Sequence, residues 1–121
     1  MDTARAVEGL YATGHWLLGN ERFRDAGAVF RAMVTLSPAD ERGWLGLGAA
    51  HEGIAQPEIA LEMYGTGRVV ARPSPRCEVA RARVLRALGR DDEAESALDL
   101  ADEIVEDDDV KAAIAAERCA A

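Results

Sequence analysis

Small and large apolar residues recur along this chain at one fixed interval, while most positions between them are polar. Four columns follow this interval: Ala26, Ala60 and Ala94; Phe30, Tyr64 and Leu98; Gly14, Gly48 and Ala82; and Leu10, Trp44 and Glu78. Apolar spacings of three and four residues within each copy predict amphipathic helices. An interval of this length indicates a repeated unit that stacks on its neighbours to bury a core.

Each copy has the pattern of the tetratricopeptide repeat, a unit of about 34 residues in which two helices are joined by a turn. The middle copy is the clearest, with Trp44, Leu47, Gly48, Ala60 and Tyr64 at the offsets that this repeat prefers. Ser-Pro pairs and an aspartate supply capping groups at the predicted boundaries. We therefore predict an all-α fold in one domain over residues 1–121. It comprises three tandem helix–turn–helix repeats at about 7–40, 41–74 and 75–108, wound into a right-handed superhelix, and a capping helix at about 109–120.

The stretch WLGLGAAHEG concentrates glycines in a predicted helix, where each costs about 0.5–1 kcal/mol relative to alanine. We predict that Gly48 and its counterpart Gly14 let the two helices of a repeat approach closely. Gly43 and Gly46 have no predicted packing role. Gly53 is predicted to help end its helix.

Charge and hydropathy exclude several classes of function. The formal net charge of −8 disfavours binding to nucleic acid through phosphate neutralisation. No uncharged apolar run reaches the length of a membrane span, and the N-terminus lacks the pattern of a signal peptide. We expect a cytoplasmic protein with no membrane partner, in which Cys77 and Cys119 are reduced thiols.

Nothing in the sequence forms a catalytic or metal-binding motif. His15 and His51 lie in different repeats, without a nucleophile or a metal-ligand partner at a suitable spacing. Glycines 43, 46 and 48 form GxxGxG inside a helical segment, without the strand and lysine of a phosphate-binding loop. We therefore predict no enzymatic activity, no cofactor and no metal.

The first helices of stacked repeats line a concave groove that suits an extended peptide or a helix. Helical phase selects the residues beside the packing columns as candidates for this groove. They are Tyr11, His15 and Leu18 in repeat one; Arg42, Leu45, Ala49 and Glu52 in repeat two; and Arg76, Val79, Arg83 and Arg86 in repeat three. For Tyr11 and Leu18, a position in the core is the alternative. Trp16 is predicted to pack in the core or between helices.

Four arginines share one face of the first helix of repeat three: Arg76, Arg83, Arg86 and Arg90. From Asp91 to Asp109, by contrast, every charged residue is acidic. Two interpretations stay open. The arginines pair with the acidic second helix of their own repeat, or they bind a partner.

The order Asp-x-Arg-x-x-Leu-Gly-Leu-Gly-Ala from Asp40 to Ala49, within FRAMVTLSPADERGWLGLGAA, resembles the class II chaperones of bacterial type III secretion systems. The similarity continues through Ala60–Tyr64, Pro75-Arg76 and Glu93–Leu98, and it spans about Leu10 to Val105. The resemblance implies a cytoplasmic chaperone that holds a hydrophobic secreted translocator before export. It also implies that a short, proline-containing extended segment of the translocator lies in the concave groove against aromatic side chains.

The resemblance adds Phe23 to the candidate groove residues, because Tyr11 and Phe23 match aromatic positions of that region. His15 and Leu18 stand where the family has aromatic residues. Family members dimerise through a longer N-terminal extension, and about nine residues precede Leu10 here, which leaves a homodimer and a monomer both open. The alternative function is a general adaptor that joins two soluble protein partners.

Overall fold

Residues 2–120 fold into seven α-helices, of which the first six form three successive antiparallel pairs and the seventh packs on the last pair. The computed structural model describes residues 2–120, and no strand occurs among them. The helices are α1 (Thr3–Gly19), α2 (Phe23–Leu36), α3 (Glu41–Gly53), α4 (Pro57–Val70), α5 (Pro75–Ala87), α6 (Asp91–Ile104) and α7 (Asp108–Cys119). The predicted all-α class is confirmed. Helices α3 and α5 begin at the first residues of the second and third predicted repeats.

Local side-chain chemistry fixes where α3, α5 and α7 begin. The side chains of Asp40, Ser74 and Asp107 each accept a backbone N–H bond in the first turn of the helix that follows. These bonds satisfy donors that an α-helix leaves unpaired at its N-terminus. Gly89 ends the turn after α5 with a φ of +77°, a left-handed conformation that glycine adopts without strain.

The second helices of the first two repeats each pack an aromatic ring against glycines of the first helices. Phe30 of α2 is 1% exposed, and a Cβ at Gly14 of α1 would lie only 2.7 Å from its Cζ. On α3, a Cβ at Gly48 would lie 2.2 Å from Cε1 of Tyr64 in α4. Both distances are far inside van der Waals contact. Gly14 and Gly48 therefore permit the close approach that the sequence predicts for them.

The structure corrects the expectation that Gly43 and Gly46 have no packing role. A Cβ at Gly46 would lie 2.3 Å from Cε1 of Phe30, and one at Gly43 would lie 2.7 Å from Cγ1 of Val34. Both glycines face α2, so they let α3 approach the preceding repeat. Gly53 is the last residue of α3, as expected, and it also accommodates an aromatic ring of α2.

The prediction that Trp16 packs in the core or between helices is wrong, because its side chain is 59% exposed. Its counterparts in the second and third repeats, Ala50 and Val84, are each 2% exposed. The Cβ of Ala50 lies 3.7 Å from the position of a Cβ on Gly27, a residue of the preceding helix α2. Among the described residues no helix precedes α1, so Trp16 has no such neighbour.

Helix α7 packs on the third repeat and completes its core. Val110 and Ile114 are buried in one cluster with Leu85, Leu98 and small residues of α5 and α6. At the other end of α7, Arg118 pairs with three acidic side chains of α6: Glu95, Asp99 and Asp102. The acidic surface of α6 is thus partly neutralised by the helix that covers it.

Candidate functional site

One face of each first helix carries a stripe of four residues at equivalent positions. The stripes are Glu8, Tyr11, His15 and Leu18 on α1; Arg42, Leu45, Ala49 and Glu52 on α3; and Arg76, Val79, Arg83 and Arg86 on α5. Corresponding members are separated by one repeat interval, so each row crosses the repeats. The second row, Tyr11, Leu45 and Val79, is apolar or aromatic throughout.

Ion pairs hold these stripes side by side. Nη2 of Arg42 lies 2.6 Å from Oε1 of Glu8, which joins α3 to α1. Two further pairs join α5 to α3, and they are Arg76 with Glu41 at 3.2 Å and Arg83 with Glu52 at 2.6 Å. Because the α3–α5 pairs lie near both ends of the helices, the middle rows are enclosed between them. The three stripes therefore form one groove.

A cavity of about 180 Å³ opens where α1 and α3 meet in this groove. Its lining comprises Tyr11, His15, Leu18, Phe30, Arg42, Leu45 and Gly46. The guanidinium carbon of Arg42 lies 4.5 Å from the centre of the Tyr11 ring, within cation–π distance. The His15 ring lies 5.8 Å from the Tyr11 ring. The cavity thus combines an aromatic and aliphatic surface with one cation at its edge.

Two carboxylates fix the guanidinium of Arg42 in this position. Asp40 accepts hydrogen bonds from Nε and Nη2 of Arg42 at 3.0 and 2.7 Å, and Glu8 accepts from Nη2 at 2.6 Å. These bonds hold the pKa of Asp40 and of Glu8 below their usual values. The Arg42 guanidinium at the rim of the cavity is therefore already held in position without a ligand.

A second cavity of about 260 Å³ lies between α5 and α7. It is lined by Arg76, Val79, Ala80, Arg83, Asp109, Val110 and Ala113. Ala113 of α7 follows Val79 by one repeat interval and extends the apolar row into a fourth helix. The groove therefore offers apolar cavities on both sides of the α3–α5 contact.

Glu52 connects the groove to the core beneath it. Its carboxylate accepts a hydrogen bond from the hydroxyl of Tyr64 at 2.5 Å and bonds from Arg83 at 2.6 and 2.8 Å. Burial alone would raise the pKa of Glu52, but the bonds from Arg83 and Tyr64 outweigh it, so the pKa is lowered. Burial and the bond to Glu52 raise the pKa of Tyr64. Ala49, half-buried, lies one turn before Glu52 on the same stripe.

Two of the sequence candidates do not lie in the open groove. Phe23 lines a separate pocket of about 160 Å³ between α2 and α3, with Arg24, Arg31 and His51 among its neighbours. The expectation that grouped Phe23 with Tyr11 is therefore corrected. Arg86 has a side chain that is 17% exposed and donates to the carbonyl of Glu117 in α7, so α7 covers it.

The basic face of α5 pairs mainly with helices other than α6. Arg76 and Arg83 contact α3, Arg76 also contacts Asp107, and Arg86 contacts α7. Two pairs with α6 follow the interpretation of pairing within the repeat, Arg90 with Glu93 at 2.5 Å and Arg86 with Glu95 at 3.9 Å. Pairing within the third repeat thus occurs, but more of the ion pairs of these arginines join other elements.

Sequence reasoning missed the floor of the first cavity and the fourth wall of the groove. Phe30 and Gly46 were assigned to packing alone or to no role, yet both line the first cavity. Ala113 lines the second cavity, and its place one repeat interval after Val79 was a signal that could have identified it. Within residues 2–120, no group of three or more His, Cys, Asp or Glu side chains is placed to hold a metal ion.

None of the helices that the structure describes is both long enough and apolar enough to span a membrane. Cys77 is buried and Cys119 is exposed, and both are free thiols. Burial raises the pKa of the Cys77 thiol to about 11. Neither cysteine lines the groove, so the groove has no reactive group of this kind.

The fold is that of a helical-repeat protein with a groove along the first helices of its repeats. No family model matches the chain. Low calcium response locus protein H of Yersinia pestis is 34% identical over 101 residues, which cover 84% of this chain and 60% of that protein. The chain thus spans about 60% of the length of the curated relative.

Solved structures give the family. The translocator chaperone SycD of Yersinia enterocolitica is 32% identical, with a TM-score of 0.83 over 93% of this chain and 85% of that one. SycD in complex with a peptide of the translocator YopD is 30% identical, with a TM-score of 0.75 over 93% and 92% of the two chains. The chain belongs to the family of type III secretion translocator chaperones. The resemblance seen in the sequence is confirmed.

Proposed function

We propose that this protein is a chaperone that holds a segment of a secreted translocator in the groove of α1, α3 and α5, in the bacterial cytoplasm before type III secretion. The observation that carries the proposal is the Tyr11 cavity, because it offers an apolar seat on the face of the first helices. The family supports it, since SycD is described with a translocator peptide. The function requires no catalytic residue, metal or cofactor.

The cavity suits an apolar side chain of the client segment. Tyr11, Leu18 and Leu45 supply its walls and the ring of Phe30 supplies its floor. Burying a leucine-sized side chain there would contribute about 1.5–3 kcal/mol. The second cavity, at Val79 and Ala113, would take a further apolar side chain of the same segment.

The rigid rim reduces the entropy cost of binding. Arg42 is held by two carboxylates and Arg83 by two bonds to Glu52. Side chains that are already ordered lose little freedom when a ligand docks, whereas a mobile one costs about 0.5–1.5 kcal/mol. This saving matters for a client segment that is disordered before it binds, because such a segment itself loses conformational entropy on binding.

The test is capture of the client from the cytosol of the source bacterium with the tagged protein, followed by mass spectrometry. Tyr11→Ser combined with Leu45→Ser removes the walls of the cavity, and Trp16→Ser is the matched control on an exposed surface outside it. We expect a hydrophobic secreted protein with the wild type and the control, and at least tenfold less with the double variant at equal helicity. Equal capture by all three proteins, or capture of soluble partners only, would favour the adaptor and contradict the proposal.

Homodimerisation is a separate part of the proposal. A second SycD structure, 29% identical with a TM-score of 0.79, is described as an alternative dimer. Sedimentation velocity over a range of concentrations tests whether this chain also dimerises. A single monomeric species throughout would contradict it.

A further inference from the structure

The second and third repeats carry different side chains at one equivalent position, Trp44 in the second and Glu78 in the third. In the second repeat, the indole of Trp44 covers the seam beside α4, where its Nε1 donates to the carbonyl of Pro38 at 2.8 Å. Residue 67 of α4 is glycine, and a Cβ there would lie 2.6 Å from the Cβ and 3.0 Å from the Cγ of Trp44, so the glycine permits this close approach. A tryptophan therefore occupies this seam from within the chain.

In the third repeat a glutamate replaces this tryptophan. The residues that correspond to Trp44 and Gly67 one repeat later are Glu78 and Ala101, and both are buried. The carboxylate of Glu78 pairs with Arg68 at 3.2 Å and with Arg81 at 3.5 Å. Since the carboxylate is much smaller than an indole and turns toward these arginines, the outer part of the seam is not filled.

A cavity of about 340 Å³ occupies this part of the seam, between α4 and α6. Leu100, Ile104 and Pro73 form apolar walls, while Arg68 and Arg72 supply cations. Leu100 and Ile104 are 41% and 39% exposed, so both apolar side chains are accessible from the cavity. The volume lies within the range of about 300–1,000 Å³ that is typical of ligand pockets.

The charge of the cavity is incompletely balanced. Glu78 is shared between Arg68 and Arg81, and Nε of Arg68 is buried without a hydrogen-bond partner. The Arg72 side chain makes no ion pair or hydrogen bond within residues 2–120. One further carboxylate, Glu103, lies at the rim. Among the residues that line the cavity, two guanidinium groups thus face two carboxylates, but Glu78 is also shared with Arg81 outside the lining, which leaves Arg72 as the cation that would meet an incoming carboxylate.

We propose that this cavity is a docking site for a partner protein that inserts an aromatic side chain, tryptophan above all, next to a carboxylate. The equivalent seam already accepts an indole from Trp44. The apolar walls provide hydrophobic contact, and guanidinium groups favour an aromatic face. A carboxylate beside the ring would pair with Arg72.

The site is separate from the proposed client groove, because its walls come from α4, α6 and the turn before α5, and its one residue from α5, Glu78, lies outside the groove stripe of that helix. A client in the groove and a partner at this cavity could therefore bind together. An anchor of this kind is typical of binding hot spots, in which tryptophan fills a desolvated pocket. The inference does not rest on the identity of the client.

N-acetyl-L-tryptophan is the probe, because it carries both an indole and a carboxylate. In two-dimensional amide NMR of the full chain, we expect saturable shifts at Arg72, Leu100 and Ile104, with a Kd of about 1 mM. N-acetyl-L-tryptophanamide, which lacks the carboxylate, should bind several-fold more weakly, and N-acetyl-L-leucine should not produce these shifts. Shifts that are absent, or that are confined to the groove, would overturn the proposal.

Two variants locate the binding. Ile104→Lys, on an exposed wall, should weaken the probe at least about tenfold while leaving the helical spectrum unchanged. The triple variant Arg68→Val, Glu78→Trp and Ala101→Gly copies the seam of the second repeat, where Val34, Trp44 and Gly67 stand, and should abolish the shifts by filling the cavity. Unaltered binding by either folded variant would contradict the proposed site.

A second copy of this chain is a competing occupant, since Trp16 is exposed. Sedimentation of the wild type and of Trp16→Ser separates the two cases. A monomeric wild type, or a dimer that Trp16→Ser leaves intact, supports a foreign partner. A dimer that both Trp16→Ser and Ile104→Lys abolish would assign the cavity to Trp16 of the second copy and overturn the proposal.

Discussion

A single methyl group added at Gly46 tests the packing beneath the client cavity. The new Cβ would lie 2.3 Å from Cε1 of Phe30, against an optimal separation of about 3.5–4.0 Å. The ring has little room to retreat, because it is 1% exposed and Gly14 of α1 also lies against it. We expect an overpacking cost of about 1–3 kcal/mol in the free energy of unfolding.

Gly9→Ala is the matched control, because a Cβ there would meet no atom within 4 Å. Both substitutions lie inside helices and gain about 0.5–1 kcal/mol of helix propensity, so their difference isolates the overpacking. Urea unfolding should show Gly9→Ala more stable than the wild type, and Gly46→Ala less stable than Gly9→Ala by about 1–3 kcal/mol. Equal stability of the two variants would refute the conclusion that the Phe30 ring is wedged between α1 and α3.

The ion pairs and the contact of Arg42 with an aromatic ring lead to three further predictions. Burial raises the pKa of Glu52, but the bonds from Arg83 and Tyr64 lower it by more, so the folded pKa lies below the unfolded value of about 4.3. The stability that this group contributes is therefore present above the unfolded pKa and is lost as pH falls through the folded pKa. Urea midpoints should therefore fall less steeply on acidification for Glu52→Gln than for the wild type, and identical slopes would count against the coupling. Arg42→Met should lower the free energy of unfolding by about 0.5–1 kcal/mol through loss of its contact with an aromatic ring, measured in urea at low and high salt. Arg118→Gln should speed amide exchange in α7 while leaving α1 to α4 unchanged, and equally faster exchange throughout would show that α7 does not open separately.

The repeat register was predictable from sequence because a fixed interval constrains both helices of each unit. Gly48 could be assigned from its column alone, since its counterpart Gly14 and the column of Phe30 and Tyr64 repeat at the same interval. The interval also places Tyr11, Leu45 and Val79 in one row, and the structure aligns them across three helices. The periodicity therefore predicts the helical backbone and the face of each first helix that lines the groove.

Features that depend on a neighbouring helix were not predictable in the same way. The role of Gly46 follows from the direction of the Phe30 ring, which α2 and not α3 determines. Trp16 is exposed although its counterparts are buried. The position of a residue in the repeat does not by itself show whether another helix packs against it, so this difference was not predictable. Phe23 shares no cavity with Tyr11, since it projects from α2 toward the end of α3.

The measurement that tests the central claim most directly is site-specific photocrosslinking in the source bacterium. The photoreactive residue p-benzoyl-phenylalanine would replace Leu45 in the groove or, as the control, Leu36, which is 49% exposed at the end of α2. We predict an adduct with a secreted translocator at position 45 and none at position 36. An adduct at position 36 alone, or none at either position when the translocator is expressed, would contradict binding of the client in the groove.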